Sequence, residues 1–430
     1  MLTRLLTLWH DARSSLWALP MLMVVVAGAA AILAVHIPLR QGDDPVWFLY
    51  SGDAEEAPQF LSNLVTAMIT MATLVVSITM VVLTLAAQQL GPRLIRSFMA
   101  DHRTQATLGL FVATVVYLLL VLRSSYGATD KVPNLAVTIG TALVLLCLIA
   151  LLIFVHHLAR SIIADNTIDR VGEALDADID RLLPESNGKE PKAPAKRPRD
   201  TGAPLALHSS DYVQAINYSG LIEIAQQADA VIELAFKPGR HVIEGGVFAW
   251  IAPTKAADET HGKIENCVIL GGERASIQDV ETSIRQLVEV AMRALSPSIS
   301  DPFTAMAVID RLTTSLAKIM RRGQPRCVWA DEDGKVRLLA PSLSFADTLE
   351  EAFRQIRQHS QNQPAVLIRL IDSLGQLLAQ ADKAQQAMLK KEIEIVLESG
   401  RKAIAQKEDL ATLEERAKLA FKEAPASARA

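Results

Sequence analysis

Cysteine is scarce in this chain. Three occur in 430 residues: Cys147 inside an apolar stretch, and Cys267 and Cys327 far apart in the polar half. That spacing excludes a disulfide framework and a structural zinc site, and it places the polar half in a reducing compartment. Aromatics are 5% of the chain, the net charge is −4, and no basic stripe carries interleaved aromatics. Nucleic acid is therefore not an expected partner. A nucleophile with a base, a metal cluster and a phosphate loop are all missing at the spacing their chemistry needs, so no catalytic residue, metal or cofactor is expected.

What is present is apolar length. Half the residues are hydrophobic, and the charged 21% avoid four long windows. These run over about 17–36, 61–90, 105–122 and 135–155, each long enough to cross a bilayer. The first follows Arg4, His10 and Arg13. Its apolar core is too long for a cleaved leader, so a retained signal-anchor helix is expected. The second window outruns a hydrocarbon core of about 30 Å and must tilt or project. No window carries a charge at its centre, which argues against a proton relay or an ion-coupled pump.

Orientation follows from the cations at the helix ends. Arg93, Arg96 and Arg103 lie between the second and third windows, and Arg160 and Arg170 after the fourth. The first connection has Arg40 among Asp43, Asp44, Asp53, Glu55 and Glu56, and the third has only Arg123 and Lys131. Both termini are therefore expected on the cytoplasmic side of the membrane.

The second window carries the clearest pattern. Ser62, Thr66, Thr70, Thr73, Ser77 and Thr84 follow helical steps and share one face, Gln88 continues it, and Thr79 falls off it. Such a stripe serves either close helix packing with hydroxyls bonded back to their own backbone, or a water-filled path shared by several subunits. Arg93 at the cytoplasmic mouth would bias such a path towards anions.

The adjacent His156 and His157 point about 100° apart on a helix, which suits an interfacial role rather than chelation. Beyond them, Ile168, Val171, Leu175, Ile179 and Leu182 repeat at helical steps, predicting an amphipathic stalk over 164–183. Residues 184–204, rich in Pro, Lys and Arg, read as a disordered linker. Short apolar runs between glycines and prolines predict a small β-rich subdomain over 205–272. Within it, Gly239, Val242, Gly245 and Phe248 resemble the turn of lipoyl and biotinyl carrier domains, with Lys255 near the place of their modified lysine. That likeness implies a barrel-sandwich as one form of the subdomain, and one short turn does not make Lys255 a modified residue. Periodic apolar residues then predict a helical domain over 273–424, with a tail at 425–430. Asp301 before Pro302 is a helix-start signal.

Arg274, Gln278, Asp279, Arg293, Ser296, Asp301 and Thr304 stand out as one candidate polar cluster at a helix junction, serving as caps and ion pairs or holding a small ligand or ion. The run Gly272-Glu-Arg274, Gln278-Asp279, Gln286-Leu-Val-Glu-Val-Ala291, Ala294-Leu-Ser-Pro297 and Asp301-Pro-Phe-Thr-Ala305 carries a resemblance, joined by Ala87-Gln88, Gly91-Pro-Arg93 and Phe98. It is similar to the bacterial predicted-membrane-protein family called domain of unknown function 2254, over nearly the whole chain. Ser298 and Ser300 stand where the family pattern has glycine and asparagine, and Thr282 and Ser283 where it has an aromatic-glycine pair. The resemblance implies topology and bacterial origin, and no reaction.

The expected architecture is an α-helical multi-pass membrane protein with about four transmembrane helices and a cytoplasmic, mostly α-helical domain containing a small β subdomain. Membrane lipids and further copies of the chain are the expected partners. Two functions fit: an oligomeric channel or transport pathway gated by the cytoplasmic domain, or a membrane-anchored scaffold or sensor without conduction.

Overall fold

The computed structural model describes residues 17–36, 50, 56–90, 101–126, 134–161, 164–185, 191–274 and 278–423. They divide into two compact units, residues 1–166 and 167–430.

The first unit holds four apolar helices: α1 (Ala18–His36), α2 (Ala57–Leu90), α3 (His102–Ser125) and α4 (Asn134–Ser161). Each is long and apolar enough to cross a membrane. At 34 residues α2 is about 51 Å long at 1.5 Å per residue, well beyond the hydrocarbon core. Asp101 starts α3 by accepting the amides of Arg103 and Thr104, and its carboxylate also bonds His157 Nε2 at 2.7 Å. His157 thus serves a helix end rather than standing beside His156 as a ligand. The bundle core joins Leu61, Met68 and Val75 of α2 to Phe111, Tyr117 and Leu118 of α3 and Cys147 and Phe154 of α4. Tyr117 is fully enclosed, and its hydroxyl donates to the Ala136 carbonyl at 3.1 Å, so the one polar atom of a large apolar side chain is satisfied.

All but the first three residues of α5 (Ala164–Leu182) lie in the C-terminal unit. Its apolar stripe is buried at Ile168, Val171, Leu175 and Ile179. The stalk predicted there is not free-standing. Asp176 of α5 accepts Arg311 Nη2 at 2.6 Å and Ser315 Oγ at 2.8 Å, and Asp180 accepts Lys318 Nζ at 2.7 Å. These donors lie on α10 (Pro302–Arg321), so the helix belongs to the C-terminal unit it leads into. Gly172 permits this approach, because a Cβ there would collide with the Arg311 guanidinium.

The linker predicted over 184–204 is corrected in its described part. A short helix, α6 (Pro198–Thr201), leads into β1 (Ala203–Ala206). Arg197 pairs with the buried Glu233 at 2.8 Å, the Arg199 amide donates to Glu233 at 3.1 Å, and the Arg199 guanidinium lies 4.4 Å from the Trp250 ring centre. Arg197, which reads as part of a solvated tether, neutralises a buried carboxylate instead, so Glu233 is not an uncompensated charge.

Then follow β2 (Asp211–Ile216), α7 (Tyr218–Gln227), β3 (Val231–Leu234), β4 (His241–Val242), β5 (Val247–Ala252), α8 (Ala257–Glu265) and β6 (Val268–Gly271). The remaining elements are α9 (Val280–Ala294), α10, β7 (Val328–Ala330), β8 (Val336–Leu339), α11 (Phe345–His359), α12 (Pro364–Leu378), α13 (Lys383–Ala403) and α14 (Lys407–Glu423). One sheet has the order β1-β5-β3-β8-β7, with β3 and β8 parallel; a second has β4-β2-β6. The barrel-sandwich reading fails here. Gly239 and Gly245 flank β4, and Lys255 sits in a single 3-10 turn after β5 rather than at a hairpin tip. The β region is also discontinuous: β7 and β8, from within the stretch predicted as a helical domain, complete the larger sheet.

Candidate functional site

Three features built from the predicted residues need separate accounts: the α9 start, the α10 start and the α2 stripe.

Asp279 caps α9, accepting the Glu281 amide at 3.0 Å and the Thr282 hydroxyl at 2.8 Å. Its second role is electrostatic. Arg274 Nε lies 2.5 Å from Asp279 Oδ2 and Arg274 Nη2 lies 2.9 Å from Glu281 Oε2. Lys237 Nζ closes the network 2.6 Å from Glu281 Oε1. At the buried centre two carboxylates face two cations, and Asp347 Oδ2, 3.9 Å from Lys237 Nζ, adds a third carboxylate at the exposed rim. Burial pushes the Glu281 carboxyl up, but Lys237 and Arg274 outweigh it and hold the group below the usual glutamate range. Arg274 is correspondingly held above its ordinary value against the opposing effect of burial.

Gln278 ties this corner to the smaller sheet. Its Oε1 accepts the Ile216 amide at 2.8 Å and its Nε2 donates to the Ile216 carbonyl at 3.1 Å, so one amide completes the end of β2. Gly239 makes the corner feasible in two ways. Its φ is +85°, and a Cβ there would collide with the Asp279 carboxylate and Arg274.

This corner forms one wall of a cleft of about 900 Å³. Gln278, Asp279 and Lys237 face an aromatic wall in which Tyr218 stacks on Trp329, with centroids 4.9 Å apart and planes 15° from parallel. Burial pushes the Tyr218 phenol up to about 12. Cys327, also on the cleft, lies 2.9 Å from the Ser342 hydroxyl. An aromatic surface beside amide and cationic groups suits the binding of a small polar ligand. Tyr218, Lys237, Glu281 and Trp329 were not singled out by the sequence reading. The one available signal was Asp333-Gly334 between apolar runs, which marks the hairpin that brings Trp329 here.

The other predicted polar residues lie elsewhere. Asp301 caps α10 through the Thr304 amide at 3.1 Å and hydroxyl at 2.6 Å. The Ser296 hydroxyl lies 3.3 Å from that of Ser298, and Arg293 is in the last turn of α9. The single cluster therefore divides. Fifteen residues of α9 separate its ends by about 22 Å at 1.5 Å per residue, so Arg274, Gln278 and Asp279 cannot share a ligand with Arg293, Ser296, Asp301 and Thr304.

On α2, Thr66, Thr70, Thr73, Ser77 and Thr84 are exposed and Ser62 is half-buried, whereas the off-stripe Thr79 is buried. The hydroxyls of Thr66, Thr70, Thr73 and Thr84 each donate to the carbonyl four residues earlier, at 2.8–2.9 Å. Across the helix, Val82 is buried and Leu64 and Ile78 pack against the bundle core. The stripe thus runs along the face that the chain's own described helices leave uncovered, flanked there by exposed Ile69, Leu74, Met80 and Val81. The Gln88 side chain and Arg93 lie outside the described residues.

Four membrane-length helices joined to a mixed helical and β domain define a multi-pass membrane protein. The chain belongs to the family described as predicted membrane protein (DUF2254), whose profile matches residues 13–376. It is similar to an uncharacterized protein of Mycobacterium tuberculosis and one of Mycobacterium bovis, each 29% identical over 423 residues, covering 96% of this chain and 81% of the relative. No solved structure matches.

Proposed function

We propose that this protein is the subunit of a homo-oligomeric pathway across the bacterial inner membrane, with both termini cytoplasmic and with the cleft of the C-terminal domain as a regulatory ligand site. The observation that carries the reading is the uncovered hydroxyl face of α2. Back-bonded hydroxyls make a face of small side chains with muted polarity, which permits close approach of a neighbouring helix and tolerates water. A path lined by hydroxyls offers dipoles without net charge, so its selectivity would be weak, with Arg93 favouring anions. The role is binding and passage, without catalytic turnover.

A membrane-anchored sensor without conduction is the second reading, and the Tyr218–Trp329 cleft favours it, since a ligand site needs no pore. The two are separated by cross-linking between copies. With Cys147→Ala and Cys327→Ser removing a membrane thiol and an exposed one, Thr73→Cys should form a disulfide dimer between chains, and Ile78→Cys should not. Equal absence of dimer from both would favour the sensor.

A further inference from the structure

A second group of residues, far from the α9 corner in sequence, has the composition of a metal site. His261 and Glu265 are four apart on α8, one turn of helix, so they share a face. The chain leaving β1 brings His208 to the same face, although it stands 57 positions from Glu265. One ligand atom from each of the three lies within 4.8 Å of the others. Spacing along the chain gave no hint of this, and the expectation of no metal cluster did not foresee it.

We propose that His208, His261 and Glu265 bind one divalent transition cation of the zinc class, with three protein ligands and an open fourth position. Two imidazoles with one carboxylate are borderline ligands that suit zinc, nickel or copper, whereas magnesium and calcium take all-oxygen sets. Three protein ligands plus water is the pattern of zinc sites that keep a position open.

The backbone around the group orients it as metal ligands are oriented. His261 Nε2 lies 2.8 Å from the Ala206 carbonyl, which only accepts, so the ring donates there and a neutral ring keeps its lone pair on Nδ1. A second-ring N–H held by a backbone carbonyl is the usual support for a metal-binding histidine. Glu265 is steadied likewise: its Oε1 accepts the His208 amide at 2.8 Å, leaving Oε2 towards His208 Nδ1 at 2.6 Å. The His208 and His261 rings lie 5.1 Å apart, and the buried Phe248 stands 6.0 Å from His261. An ion pair between His208 and Glu265 would account for two of the residues. It would not need a third donor held in the tautomer that a cation requires.

Zinc–ligand distances of about 2.0–2.2 Å put tetrahedral donors roughly 3.4 Å apart. The 2.6 Å contact must therefore open and the longer separations close. The His208 side chain, 74% exposed, can make those moves without disturbing the core, while His261 and Glu265 stay on their helix. Because α8 and the end of β1 both contribute, the cation would also fasten the edge of the larger sheet to α8.

The test is titration of the full chain in detergent with ZnCl2, followed by calorimetry. One Zn2+ per chain is expected, with no competition from excess Mg2+ or Ca2+. His208→Ala and Glu265→Gln should each weaken binding by at least about tenfold, the least expected when even a ligand's supporting partner is lost. Co2+ should give visible absorption that both variants lose. Glu265→Gln keeps an oxygen for the His208 amide, so its metal-free unfolding should match the parent and separate binding from folding. Absence of stoichiometric binding, or binding unchanged in both variants, would overturn the site.

Discussion

Gly239→Ala isolates the energetic weight of the α9 corner when it is set beside Gly245→Ala. Both glycines have left-handed backbone, with φ of +85° and +75°. Alanine in that region costs about 1–2 kcal/mol at either position. At Gly245 nothing lies within 4 Å of the added carbon, so strain is the whole effect. At Gly239 the carbon falls on the Arg274–Asp279 pair, whose side chains are 15% and 4% exposed. Disrupting a buried pair costs about 3–5 kcal/mol, because Asp279 loses its countercharge while Arg274 keeps only Glu281. The sums are about 1–2 kcal/mol for Gly245→Ala and roughly 4–7 kcal/mol for Gly239→Ala. In a domain of this size each kcal/mol moves Tm by about 2–4 °C. Thermal unfolding of the full chain in detergent, read by the fluorescence of Trp250 and Trp329, should therefore fall by about 2–8 °C for the first variant and at least about 8 °C for the second. Equal shifts would show that the corner contributes only its backbone turn, and the electrostatic account would fail.

Two further outcomes follow from the same unit. Glu281 is held below the usual glutamate range when folded, so the stability it contributes is complete above that range and is lost as pH falls through it and below; Glu281→Gln should lower Tm at pH 7 and flatten its decline between about pH 5 and 3. Ser300 has φ +51°, strained for a side chain, so Ser300→Gly should raise Tm by about 2 °C, a net gain of about 0.5–1 kcal/mol once glycine's chain entropy is counted.

The membrane helices were legible because composition alone marks them: a bilayer demands unbroken apolar length, and the windows at 17–36 and 135–155 match α1 and the apolar part of α4. The cap Asp301 was legible for a related reason, since a cap acts within three residues of itself. Long-range pairing was not. Nothing local to Val336–Leu339 says that it lies parallel to Val231–Leu234, and nothing in the Lys- and Arg-rich stretch before Ala203 says that Arg197 will meet Glu233. The left-handed turn at Ser300 was not legible either, because a single positive φ leaves no mark on periodicity.

The central claim, that the hydroxyl face of α2 meets water or other copies of the chain, is tested most directly by thiol accessibility in membranes. In the Cys147→Ala, Cys327→Ser background, single cysteines at Thr66, Thr70, Thr73 and Ser77 should react with a water-soluble thiol reagent, and those at Leu64, Ile78 and Val82 should not. If all seven remain unreactive and the stripe cysteines form no link between chains, the face lies against lipid and the pathway reading is contradicted.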